Sequence, residues 1–194
     1  MKNAIIVHGM PSKREDRVAK ALGIKYSKFH WLGWLDRQLR HNGYEVWAPE
    51  MPHPYKPEYK LWAEQAEKAK IGPDTTLIGH SCGGGFWIKY LSLNKNLKVG
   101  RVILVAPWID PDGDEAEDFF KNYKMDPDLA ARTRGLVIFN SDNDMGNVLK
   151  SVARIRRTIK NIEYREFHKY GHFTIFQMKT TKFPELLQAC LEGL

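Results

Sequence analysis

One pentapeptide, Gly79-His80-Ser81-Cys82-Gly83, sets the strongest limit on what this chain can fold into, through what stands on either side of it. Before it, Thr75-Thr76-Leu77-Ile78 is an apolar, β-branched run that reads as a short strand. After it, Gly84-Gly85-Phe86-Trp87-Ile88-Lys89-Tyr90-Leu91 carries apolar residues at helical spacing. A strand that ends in Gly-x-Ser-x-Gly and passes at once into a helix forces a tight turn with the serine exposed at its tip. Side chains at the flanking positions would collide with the neighbouring strand and helix, hence the glycines. The helix N-terminus then directs its free N–H groups and positive dipole end at whatever reacts there. The bare pattern is weak, because it also occurs by chance in structural turns. In this context Ser81 reads as a nucleophile.

The rest of the chain continues the same alternation. Strands are predicted at Asn3–Val7, Tyr44–Ala48, Thr76–Ile78, Arg101–Ala106, Leu136–Asn140 and Glu163–Phe167. Helices are predicted at Trp31–Asn42, Glu58–Lys70, Cys82–Leu93, Glu115–Tyr123, Val148–Ile159 and Pro184–Leu191. Strand–helix alternation of this kind implies an α/β fold, a doubly wound, mostly parallel six-stranded sheet with helices on both faces. A length of 194 residues suits one domain with a substantial core. Two connections are long for such a sheet. Met10–His30 has room for a helical turn or two at Glu15–Leu22, and the acidic stretch Pro107–Arg134 is placed to cover a pocket. Neither has the size of a large lid domain.

A serine attacks poorly until a base takes its proton, and the base needs a carboxylate to orient it. In a doubly wound sheet both must come from loops at the carboxyl ends of later strands, in the order Ser, Asp/Glu, His. The loop Ser141-Asp142-Asn143-Asp144 follows the fifth predicted strand, and His168-Lys169-Tyr170-Gly171-His172-Phe173 follows the sixth. Among the seven histidines, His172 stands best, on a loop that Gly171 can bend. His168 sits at the strand end, while His30, His41 and His53 precede Ser81 and read as surface or packing residues. Asp142 and Asp144 both fit as the acid, and the other would cap the next helix. An oxyanion needs two backbone donors. One is the Cys82 N–H. The other comes from His8-Gly9-Met10-Pro11, where Pro11 has no N–H, which leaves Met10 with Gly9 in reserve.

Taken together, Ile5-Ile6-Val7-His8-Gly9, the serine turn, Ser141–Asp144 and Gly171-His172-Phe173 resemble an α/β-hydrolase. The passage Trp31-Leu32-Gly33-Trp34-Leu35, Gly43-Tyr44-Glu45-Val46, Pro49 and Met51-Pro52 narrows the likeness. It resembles the small serine hydrolase family that includes a retinoblastoma-binding serine hydrolase and bacterial homologues, over nearly the whole chain. The resemblance implies little or no lid and puts the acid at Asp144, although Met145-Gly146 stands where that family has a Pro. It implies a Ser81–Asp144–His172 triad acting on a small-molecule acyl substrate. The implied reaction is hydrolysis of small carboxylic esters, with no metal or organic cofactor. A thioesterase or acyltransferase, or a non-catalytic interaction module on the same scaffold, are the rival readings.

Charge and composition bound the partners. The net charge is +7, with Lys150, Arg154, Arg156, Arg157, Lys160, Arg165 and Lys169 crowded into one segment and Asp110, Asp112, Asp114, Glu115, Glu117 and Asp118 into another. Without a nucleic-acid motif the basic run reads as a solvated helix face, so no nucleic acid is expected. No apolar run reaches the roughly 18 residues that a membrane span needs. The N-terminal strand begins too early for a signal peptide. Cys82 and Cys190, far apart and without metal-type spacing, suggest reduced thiols in a cytoplasmic protein. Aromatics at Trp31, Trp34, Trp108 and Phe173 are candidates to line an apolar pocket.

Overall fold

The computed structural model, described over residues 2–192, holds six strands. These are β1 (Asn3–Val7), β2 (Glu45–Trp47), β3 (Thr75–His80), β4 (Val102–Val105), β5 (Leu136–Ser141) and β6 (Glu163–Phe167). They form one sheet in the order β2-β1-β3-β4-β5-β6, and every neighbouring pair is parallel. The helices are α1 (Lys13–Ala21), α2 (Leu32–His41), α3 (Tyr59–Ala66), α4 (Cys82–Leu93), α5 (Gly146–Thr158), α6 (Ile175–Met178) and α7 (Pro184–Leu191). This is a doubly wound, all-parallel α/β sheet with helices on both faces, and among the described residues no large additional domain is present.

The strand order explains where a site belongs. From β1 the chain crosses outward to β2, then returns past β1 to β3 and continues to β6. Right-handed crossovers on either side of this reversal lie on opposite faces, which opens a crevice at the carboxyl ends of β1 and β3. The central strands β1, β3, β4 and β5 are apolar and buried on both faces, as parallel strands covered by helices must be. Burying each such Ile, Val, Leu or Phe contributes about 1.5–3 kcal/mol. α4 is buried nearly all round, and even Lys89 is inside: its ammonium donates to the Phe119 and Lys121 carbonyls, each at 2.8 Å. On α5, Val148, Ser151, Val152 and Ile155 face inward while Arg154, Arg156 and Arg157 are exposed.

The structure corrects the reading of 115–123. No helix forms there, and the segment runs through turns around buried Ala116 and Phe119. Asp110 bends the chain first, its carboxylate accepting N–H groups from Gly113, Glu115 and Ala116. Positive φ at Glu117 (47°) and Asn122 (59°) excludes a continuous right-handed helix. Lys89 then takes two of the carbonyls a helix would have used, while crowded acids lose little by leaving helical spacing. Conversely, α1 is a full nine-residue helix, started by a capping box between Ser12 and Glu15. The short α6 was not anticipated.

Candidate active site

Ser81 occupies the turn between β3 and α4 at φ 54° and ψ −121°, a conformation that costs a non-glycine residue energy. The turn is held from several sides. The Ser81 N–H donates to the Val105 carbonyl, and its own carbonyl accepts N–H groups from Gly84, Gly85 and Trp108. A Cβ at Gly79 would fall 2.4 Å from the Gly83 carbonyl oxygen, so strand and helix touch at backbone distance.

Asp144 and His172 arrive on the loops after β5 and β6. His172 Nδ1 lies 3.0 and 3.1 Å from the two carboxylate oxygens of Asp144, whose side chain has no exposed surface. Asp144 Oδ1 also accepts the Met145 N–H at 2.7 Å. With Nδ1 turned to the carboxylate, Nε2 is the ring nitrogen left for the cavity that His172 and Ser81 both line. Asp142 and His168 form a second, outer pair: Oδ2 and Nδ1 are 2.8 Å apart, and Asp142 Oδ1 accepts the Lys169 N–H at 3.0 Å. The backbone bond from Lys169, then the bond from His168, lowers the Asp142 pKa, and the same carboxylate raises that of His168. This pair is exposed and does not border the cavity.

Three further histidines close around the site, and none was assigned a role there from sequence. His8 is buried, which lowers its pKa. Its Nε2 accepts the Met51 N–H at 2.9 Å, so Nδ1 carries the proton and donates to the Gly9 carbonyl at 2.7 Å. The Gly9 carbonyl and the Met10 N–H belong to one trans peptide and point in opposite directions, so the His8 bond turns the Met10 N–H away from the interior. Among the described residues, neither the Met10 nor the Cys82 N–H donates to a backbone carbonyl in a turn, loop or cap. His80, fully enclosed, donates Nε2–H to the His172 carbonyl at 2.9 Å, and its ring centroid is 4.9 Å from that of His172. Burial, with His172 alongside, keeps its imidazole well below the usual range and neutral. His30, at φ 51°, accepts the Ile175 N–H on Nδ1 at 3.1 Å. Burial, then the nearby His172, depresses its pKa to about 4. His30 was read as a surface or packing residue; it lines the cavity instead. No sequence signal marked this, since adjacency to the Trp31–Leu35 run gives no indication of a contact with residue 175. His41 and His53 are exposed, as expected.

The His172 loop is thus fixed at successive positions. Tyr170 N–H donates to Ser141 Oγ, Gly171 N–H to Asn143 Oδ1, and His172 N–H to Gln177 Oε1. Phe173 is fully buried and stacks on Phe183 at 5.6 Å, anchoring the loop in the core. Trp31 is likewise a core residue, and of the four aromatics proposed for the pocket only Trp108 lines it.

The cavity has a volume of about 980 Å³, at the upper end for small-molecule sites. Its walls correct a second expectation. Pro107–Arg134 supplies only Trp108 and Glu115, whereas Met10–His30 supplies one whole side, including Val18, Ala19, Ile24 and Phe29. The capping box that starts α1 and the buried Asp16 and Ala19 hold this helix over the crevice.

Several solved structures share the architecture. The ydeN gene product from B. subtilis superposes with a TM-score of 0.77 at 19% identity, over 98% of this chain and 97% of that one. Est1E from Butyrivibrio proteoclasticus gives 0.62 at 15%, over 98% and 86% of the two chains. A monoacylglycerol lipase from Paleococcus ferrophilus gives 0.58 at 15%, over 97% and 93%. No curated protein sequence matches this chain. The family model described as serine hydrolase matches residues 23–187, a span that includes Ser81, Asp144 and His172, and the chain therefore belongs to the serine hydrolase family.

Proposed function

We propose that the protein hydrolyses carboxylic esters of modest size through an acyl-enzyme on Ser81. The observation that carries this reading is the buried Asp144 carboxylate on His172 Nδ1, in a loop that opens on the same cavity as the strained Ser81 turn. His172 Nε2 takes the Ser81 proton as Oγ attacks the acyl carbonyl. The Cys82 and Met10 N–H groups receive the developing oxyanion. His172 then returns the proton to the departing alcohol, and the acyl group remains on Oγ. Water enters, gives a proton to His172 and attacks the ester carbon, and the carboxylic acid leaves with Ser81 restored. Every proton in this cycle moves through one imidazole. Esterase and lipase neighbours support the choice of an acyl ester over other hydrolysable bonds. The apolar wall from Val18 to Phe29 favours an ester with an apolar acyl or alcohol part. The buried free thiols Cys82 and Cys190 support a reducing, cytoplasmic setting, and among the described residues no helix is long and apolar enough to cross a membrane.

A fluorophosphonate probe tests the nucleophile. It should label the protein once, on Ser81, and Ser81→Ala should remove the label while the circular dichroism spectrum is unchanged. Label that persists in Ser81→Ala, or a folded wild type that never reacts, would defeat the reading and leave the interaction-module alternative.

His80 provides a second check, as a residue that acts through another. Replacing it by Leu removes the donor to the His172 carbonyl and loosens the loop, so kcat should fall about tenfold or more with little change in KM, since misplacement of a catalytic group by 1 Å costs on the order of 10². His80→Gln, which keeps a donor near that carbonyl, should recover part of the loss. A Leu variant that raises KM and spares kcat would show that His80 shapes substrate binding instead.

A further inference from the structure

Four exposed large apolar side chains gather on one side of the Ser81 cavity; Met145, on the loop after β5, lines the same cavity, whereas Tyr55 and Leu93 do not. Val18 (51% exposed), Leu22 (68%), Ile24 (38%) and Phe176 (78%) all belong to the rim of the Ser81 cavity or its immediate edge. Val18 and Leu22 are four residues apart, so they share one side of α1 and its C-cap. Phe29 continues the strip behind Ile24, and its ring centroid is 6.5 Å from that of Phe176 on α6. The apolar strip is therefore continuous from α1 to α6 along one edge of the mouth.

Charge surrounds it. Lys13, Arg14, Arg17, Lys20 and Lys25 are exposed on α1 and just after it, and Lys179 follows α6. In the same helix Glu15 accepts the Ser12 N–H and buried Asp16 pairs with Lys20 at 2.8 Å, which leaves Lys13, Arg14, Arg17 and Lys25 as the cations without an ion pair among the described residues. On the Trp108 side of the cavity, Glu115 is the acid that lines the wall and accepts from Asn147, while Asp112, outside the cavity, pairs with Lys150.

We propose that the edge formed by α1, residues 22–29 and α6 docks peripherally on an anionic lipid surface. Apolar side chains flanked by lysine and arginine are the chemistry of interfacial binding, in which the chains enter the headgroup boundary and the cations meet lipid phosphates. Because the apolar side chains and the lysines and arginines of α1 lie on this one edge, the contact would tilt the molecule with its α1–α6 side towards the lipid. α1 is suited to this role because only Asp16 and Ala19 are buried, so most of its surface is available. This contact needs no membrane-spanning segment. It also does not depend on Ser81 being a nucleophile, so its failure and the failure of the hydrolase reading are separable.

Cosedimentation with vesicles decides it. The wild type and Ser81→Ala should both bind phosphatidylglycerol vesicles about tenfold or more better than phosphatidylcholine vesicles, and added salt should weaken the binding. The double variant Leu22→Glu, Phe176→Glu should bind about tenfold or more weakly. Leu93→Glu, which changes an exposed apolar residue (48%) outside this rim, should bind as the wild type does. All four proteins should give the same far-ultraviolet circular dichroism. Equal binding to the two lipids, or a double variant that binds as well as the wild type, overturns the proposal. Binding to neither lipid, with salt-sensitive retention on immobilised polyglutamate, overturns it in favour of an acidic protein partner.

Discussion

Asp144→Asn is expected to lower kcat on an activated ester by about 10⁴, as loss of the orienting carboxylate does in serine proteases. Asp142→Asn is expected to cost less than about tenfold, the range of a surface change away from the chemistry. The two residues are two positions apart in one loop, and each meets a histidine on the next loop. Their surroundings separate them. Asp144 has no exposed side-chain surface and holds Nδ1 of an imidazole that borders the cavity, while Asp142 and His168 lie outside it. An Asn at 144 presents either an amide NH₂ or a carbonyl oxygen to His172. The NH₂ would favour the tautomer protonated on Nε2, which cannot accept the Ser81 proton. The carbonyl oxygen would keep the right tautomer but could no longer stabilise the imidazolium that forms as Ser81 attacks. Both outcomes slow the step. Steady-state rates for the two variants, with melting curves to exclude unfolding, settle the assignment. A larger loss from Asp142→Asn would transfer the role to the outer pair and make His168 the base.

This duplication shows how far sequence alone reached. The turn around Ser81 was legible because strand, glycines and helix are contiguous, and their steric logic acts over a dozen residues. The proposed order of serine, acid and histidine could be laid out because parallel strands deliver successive loops to one edge of the sheet. Spacing alone did not choose between Asp142 and Asp144, since pairs 142/168 and 144/172 have nearly the same separation along the chain; the resemblance to the small serine hydrolase family put the acid at Asp144. The helix expected at 115–123 fails. Its local pattern is plausible, but the carbonyls at 119 and 121 are claimed by Lys89, a buried residue 30 positions away. The side of the cavity formed by 10–30 escaped notice because α1 buries only two residues, so its pattern carries little sign of the crevice it covers. The roles of His8, His30 and His80 rest on contacts with Met51, Ile175 and His172 that no spacing rule encodes.

Gly83→Ala is expected to be among the most damaging single changes, because the added methyl has no soft neighbour. Its Cβ would lie 2.4 Å from the Val7 carbonyl oxygen and 2.6 Å from that of His8, both backbone atoms, where real Cβ atoms essentially never come within 3.0 Å. Val7 cannot retreat freely, since β1 is hydrogen-bonded between β2 and β3 and Val7 itself is paired with Gly79. His8 cannot retreat freely either, because its ring is fixed by Met51 and Gly9, and the Gly9 turn already abuts Ser81. The strain must therefore separate α4 from β1 or push the Met10 turn away from the serine. The first route loosens the core and the second misplaces the proposed oxyanion donor Met10, so stability and turnover should fall together. Overpacking against backbone should cost about 3 kcal/mol or more, which for a chain of this size lowers Tm by roughly 6–12 °C. Gly146→Ala is the matched control. Nothing lies within 4 Å of its Cβ position, and it opens α5, where alanine is the better helix former. That variant should melt at or slightly above the wild type and keep full activity. A Gly83→Ala protein that melts within about 2 °C of the wild type, a loss under roughly 1 kcal/mol, would mean that the contact between α4 and β1 is looser than the geometry requires.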